Sequence, residues 1–171
     1  ALGQWEGLSD NAQPMLEIKA SDGRAGEGPA PFFLHFDHAE IEEGPMGHML
    51  EDRFLRQTLL ARMEAEPLIT HMPGARVVHQ TTEGPATVTL LVGADGRRSG
   101  VAERAGIKRQ GWDYGQTALV CSLAHEKPHH GIAHQFFMPS GPLAILPLPG
   151  NRSSIVWSET TTRAAETIAS A

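Results

Sequence analysis

The chain has 171 residues, 40% hydrophobic and 20% charged, which is the composition of a soluble globular domain and not of a disordered or collagen-like chain. Its net charge of −6, with no run of Lys and Arg, argues against a nucleic-acid partner, and the single cysteine, Cys121, excludes an internal disulfide or a Cys-rich zinc site. No stretch approaches the roughly 20 apolar residues of a membrane-spanning helix, and the start, Ala1-Leu2-Gly3-Gln4-Trp5, has neither an initiator Met nor a signal-peptide layout, so the chain reads as a piece of something longer.

Residues 1–8 read as the end of a helix. Residues 15–20 read as a strand, Ser21-Asp22-Gly23 as a turn and residues 31–36 as the returning strand, with 26–31 as a loose connection. From Asp52 to Glu64, Leu55, Leu59 and Met63 recur every four positions and Leu60 widens the stripe, which predicts a helix with Asp52 as N-cap and Pro67 as its stop. Arg53 then lies in the first turn, where a cation opposes the helix dipole. A bound anion would reverse that sign. The plainer reading of the position is an arginine that reaches solvent or pairs with Glu51.

Short strands are expected at residues 68–71 and 76–80. Residues 87–92 form a β-branched, nearly continuous apolar run of the kind buried on both faces of a parallel sheet, and they lead into Gly93-Ala94-Asp95-Gly96. Ser99 can cap a short helix that Gly106 terminates. Strand, Gly-rich turn and helix together make a place where ligands collect in open α/β sheets, with helix amides for an anion and a carboxylate, Asp95, for ribose hydroxyls. An ordinary Asp-Gly turn explains the same residues equally well.

The last third reads as four strands, 117–124, 132–138, 143–148 and 153–159, in an antiparallel meander, after which residues 160–171 drift toward helix. His125, His129 and His130 flank the first turn and His134 lies on the next strand. A metal site there lacks any neighbouring Cys, and Lys127-Pro128 is plain turn chemistry, so no metal is assigned; His35 and His38 are weaker still. Cys121 is expected to be a buried small hydrophobe.

Several blocks together carry a resemblance. Gly93-Ala94-Asp95-Gly96-Arg97, with Ser99, Val101 and Ala105-Gly106-Ile107, resembles the second flavin fingerprint of the FAD-dependent monooxygenases built on the para-hydroxybenzoate hydroxylase plan. Tyr114-Gly115-Gln116-Thr117-Ala118-Leu119-Val120, the run from Gly141 to Pro149 and Ser154-Ile155-Val156-Trp157 narrow it to the ubiquinone-biosynthesis hydroxylases. Gln13-Pro14-Met15 and the run from Leu50 to Leu60 also fit, so the similarity covers nearly the whole chain in order.

The resemblance implies an α+β fold: an antiparallel sheet of a substrate domain (residues 1–45 and 111–171) plus part of a split Rossmann-like FAD-binding domain (46–110). It implies that Asp95, with Gly96 in the same turn, contacts a ribose hydroxyl of FAD, and that Arg53 reaches the FAD phosphates. Ala102 stands where the family often has Arg, which puts a charge role there in doubt. The Gly-x-Gly-x-x-Gly strand and helix and the Gly-Asp block of such enzymes are absent from these residues, so the piece alone is expected to be inactive. For the parent the resemblance implies NAD(P)H, O2 and hydroxylation of a polyprenylated phenol, in the cytoplasm or peripheral at the inner membrane. Phe136 and Leu146 are candidate cavity-lining residues, although packing is the commoner role of such positions. Exposed apolar surface is expected where the rest of the enzyme docks, open to self-association. Two rivals stand beside this reading: a hydroxylase of another aromatic substrate, and a β-rich binding module without redox chemistry.

Overall fold

Short apolar runs broken by Gly and Pro turns favour strands over helices, and the computed structural model follows that pattern across its described residues, 3–24, 26–41, 44–76 and 90–170. In chain order these are β1 (Ala12–Met15), β2 (Glu17–Arg24), β3 (Gly28–Asp37), β4 (Gly47–Leu50), α1 (Asp52–Ala65), α2 (Gly100–Arg104), β5 (Gln116–Ala124), β6 (Ile132–Met138), β7 (Gly141–Leu148), β8 (Arg152–Thr160) and α3 (Thr161–Ala169). The class is mixed α+β. The chain divides into two compact units, Ala1–Ile69 with Tyr114–Ala171, and Thr70–Asp113.

In the first unit six strands form one sheet in the order β3-β2-β6-β7-β8-β5, and β1 and β4 form a separate antiparallel pair. All neighbours in the large sheet are antiparallel except β2 and β6. The expected meander holds for β6, β7 and β8, but β5 pairs with β8 on the outside and not with β6. The connection from β5 to β6 is held against the β7–β8 turn. His125 N–H donates to Asn151 O (2.9 Å), Asn151 Nδ2 to Glu126 O (3.3 Å), and His129 Nε2 faces Leu148 O (2.9 Å) and Gly150 O (2.8 Å).

The expected hairpin is β2–β3, but Ser21-Asp22-Gly23 is not its turn. These residues stay in β2, with an irregularity in register between Ser21 and Gly23, because β2 is paired on both sides and the ladder overrides local turn preference. The reversal falls after Arg24, whose carbonyl accepts from Glu27 N–H (3.1 Å). Residues 3–8 are turns and bends leading into a 3-10 turn at Ser9–Asn11, not a helix end, although Leu8 is buried there.

Helix α1 begins one residue earlier than the sequence suggests. Glu51 is extended (φ −68°, ψ 133°) and is the N-cap, without a side-chain capping bond, so Asp52 is the first helical residue. The partly buried stripe is Phe54, Thr58, Leu59 and Met63, while Leu55 and Leu60 are exposed. Fully buried apolar residues are few, among them Leu8, Ala133, Leu148 and Ala164, and the two edge strands carry exposed apolar side chains such as Phe32, Leu34 and Val120. Cys121, on edge strand β5, is exposed and not buried as expected, because β5 has a neighbour on one side only.

In the second unit Ser99 caps α2, its hydroxyl accepting from Ala102 N–H at 3.0 Å, and Gly106 follows the C-cap as expected. The strand expected at 87–92 is described only from Leu90, where Leu90, Leu91 and Val92 are exposed and in no ladder. The burial that would stabilise such an apolar strand is not supplied among the described residues. Residues 68–71 are turn and coil, with Leu68 fully open to solvent, and of the strand expected at 76–80 only Arg76 lies within the described residues.

Candidate functional site

Arg53 sits in the first turn of α1 and donates from Nε (3.1 Å) and Nη2 (2.6 Å) to Oε2 of Glu51. Its guanidinium carbon lies 4.5 Å from the centroid of the Phe54 ring. The pairing with Glu51 anticipated from sequence is therefore present. Glu51 has a second partner that no local pattern announces. Arg152, the first residue of β8, donates from Nη2 to Oε1 at 2.6 Å. The two guanidinium groups, Arg152 first and then Arg53, hold the Glu51 carboxyl below its ordinary value. Arg53 remains largely exposed at 64%, against 19% for Glu51, and its other N–H groups can meet an oxyanion.

Asp95 lies in the loop that leads into α2. Its Oδ1 accepts from Ser99 Oγ at 2.5 Å and its Oδ2 from Val101 N–H at 3.2 Å. These bonds, the Ser99 hydroxyl foremost, hold its carboxyl below the ordinary value. An ionised carboxylate is acceptor-only, and each oxygen retains lone-pair capacity for a hydroxyl donor. Gly96 has φ +80° with open space where a Cβ would stand, so the turn needs glycine for its backbone and not for clearance. Gly93 is packed against Val101, its missing Cβ only 3.0 Å from Val101 Cγ1. Arg53 belongs to one compact unit and Asp95 to the other.

These residues accord with parts of FAD. A carboxylate kept ionised suits a ribose hydroxyl, and a largely exposed arginine at a helix N-terminus suits a phosphate.

Proteins of known name resemble the chain over most of its length. Ubiquinone hydroxylase UbiL of Rhodospirillum rubrum is 46% identical over 169 residues, covering 92% of this chain and 38% of that protein. The mitochondrial ubiquinone biosynthesis monooxygenase COQ6 of Schizosaccharomyces pombe is 36% identical over 180 residues, covering 92% of this chain and 36% of that one. This chain belongs to the ubiquinone-biosynthesis hydroxylase family. A third relative, 3-demethoxyubiquinol 3-hydroxylase of Escherichia coli, is 34% identical over 139 residues, covering 75% of this chain and 36% of that protein. The chain thus spans well under half the length of each of these relatives. Among solved structures, P. aeruginosa PqsL in complex with 2-aminobenzoylacetate matches with a TM-score of 0.74 at 16% identity, over 96% of this chain and 47% of that one, which shows a shared fold. No protein-family model matches.

The histidines have visible work in the fold. His129 Nε2 faces two carbonyls and its Nδ1 accepts from Gly131 N–H (2.9 Å), which assigns the proton to Nε2. His125 places Nδ1 on Lys127 O (2.7 Å) and Nε2 on Ser153 Oγ (3.0 Å). His134 stacks on Phe136, and burial first, then the Lys19 charge, keeps its pKa below the ordinary imidazole value. No group of three or more metal-ligating side chains occurs among the described residues. Phe136 and Leu146 are partly buried strand residues. No described helix is long and apolar enough to cross a membrane.

Proposed function

We propose that this chain is part of a longer FAD-dependent monooxygenase that hydroxylates a polyprenylated phenol in ubiquinone biosynthesis. The observation that carries the reading is the 46% identity to UbiL across 92% of the chain. The ionised Asp95, in the turn that leads into α2, supports the flavin assignment independently. FAD, when bound and reduced by NAD(P)H, supplies the oxygen-transfer chemistry: one atom of O2 goes to the ring, the other leaves as water, and NAD(P)H provides the two electrons.

The chain's own residues bind and orient. Asp95 accepts a hydrogen bond from a ribose hydroxyl, with Gly96 giving the turn its shape, and Arg53 donates to the diphosphate. The partly buried strand residues Phe136 and Leu146 are offered as part of an apolar wall for the substrate. A polyprenyl tail would favour a peripheral position at the inner membrane. The 171 residues alone are not expected to turn over, since the remaining flavin contacts belong to the rest of the enzyme.

The test uses the full-length protein that carries this sequence. Purified, it should contain FAD and couple NAD(P)H oxidation to hydroxylation of a prenylated phenol. A flavoprotein that hydroxylates only unprenylated aromatics would shift the substrate class, and a protein without flavin would remove the reading.

A further inference from the structure

Arg152 lies 101 residues from Glu51 in sequence, yet its guanidinium is bonded to the Glu51 carboxylate. It opens β8 and is paired across the sheet with Leu148 on β7 and Ala124 on β5, so its backbone is fixed on both sides. Glu51 in turn is the N-cap residue of α1. One carboxylate oxygen goes to the arginine on the sheet and the other to the arginine on the helix. Exposure rises in order along this series, from Glu51 at 19% through Arg152 at 37% to Arg53 at 64%.

We propose that Arg152 is a positioning residue for Arg53. An exposed ion pair between Glu51 and Arg53 alone would be electrically neutral and loosely held, because each long side chain loses rotamer freedom for little net attraction. Arg152 changes both features. It ties Glu51 to the rigid start of β8, so that the carboxylate fixes the direction of the Arg53 fork. It also shares the carboxylate charge, so that the three groups together carry one net positive charge. That charge stands at the N-terminus of a 14-residue helix. This inference rests on the reading of Arg53 as a contact to the FAD diphosphate.

The experiment is a titration of full-length apoprotein with FAD, and separately with ADP, in wild type, Arg53→Ala, Arg152→Met and Arg152→Lys. Arg152→Met keeps length and packing but removes the charge. Its FAD dissociation constant is expected to rise on the order of tenfold, with a shallower dependence on salt than wild type. Arg152→Lys should recover part of that loss. In an Arg152→Met background, Glu51→Gln should restore the steeper salt dependence but not the full affinity, because it removes the charge that Arg152 no longer offsets and also the carboxylate that directs the Arg53 fork. A thermal melt of each apoprotein separates loss of binding from loss of fold. If Arg152→Met does not fold, Arg152→Gln decides in its place, and wild-type FAD affinity in it overturns the proposal. Wild-type affinity in a folded Arg152→Met, with Arg53→Ala impaired, overturns the positioning role alone. Unchanged affinity in Arg53→Ala overturns the underlying phosphate reading.

Discussion

Ser99 donates its hydroxyl to Asp95 while accepting from Ala102 N–H, so the residue that caps α2 also holds the carboxylate at the turn. The Asp95 carboxylate and the start of α2 are therefore one hydrogen-bonded unit. Ser99→Ala should cost about 1 kcal/mol of local stability through the lost cap. It should also loosen Asp95. Asp95→Ala should lower the flavin content of the full-length enzyme more than Ser99→Ala does, as read from the flavin absorbance ratio. Equal flavin content in Asp95→Ala and wild type would remove Asp95 from the site.

The trio around Glu51 makes a pH prediction. Its folded pKa lies below the ordinary 4.5, held down by Arg152 and Arg53. A lowered carboxyl pKa means that the contribution is fully present above about 4.5 and is lost as pH falls through the folded value. Glu51→Gln should therefore flatten the acid limb of stability below about pH 4.5 and lower the neutral plateau, with little change at the acid end. Urea midpoints between pH 3 and 7 check it.

His134 gives a second pH term in a different window. Burial and the Lys19 charge lower its pKa from the ordinary 6.5, so the unfolded chain takes up a proton before the folded one does. The folded state is favoured above pH 6.5 and loses stability as pH falls from there toward the lowered value. His134→Phe should remove that slope near pH 6. A slope retained in the variant would assign it to another histidine.

Gly141 opens β7 at φ +142°, and an added Cβ would stand 2.8 Å from Ser158 Cβ and 3.1 Å from Ser158 O. Neither the backbone angle nor the clash has a flexible escape. Gly141→Ala should destabilise the sheet by on the order of 2–3 kcal/mol. Gly96→Ala, at φ +80° but with open space around it, should cost less, about 1 kcal/mol. Chemical denaturation of both variants compares them directly, and equal losses would show that backbone angle alone governs the two positions.

Periodicity and turn residues made much of the chain legible: α1 within one residue at either end, β6 to the residue, the Ser99 cap and the family blocks from Gly93 onward. Those features depend on neighbours a few positions away, which sequence records directly. Features set by distant partners were not legible. Ser21-Asp22-Gly23 carries turn residues but lies within a strand because it is held in the sheet, by β3 at Ser21 and Gly23 and by β6 at Ser21 and Asp22, and Cys121 looks buried but lies on an open edge strand. The placement of β5 beside β8, the parallel pairing of β2 with β6 and the bond from Arg152 to Glu51 each join residues far apart in sequence. The sequence by itself determined the candidate residues Arg53 and Asp95. Only the tertiary structure decided that Arg53 shares its carboxylate partner with the far end of the chain, because a hydrogen bond depends on separation in space and not along the backbone.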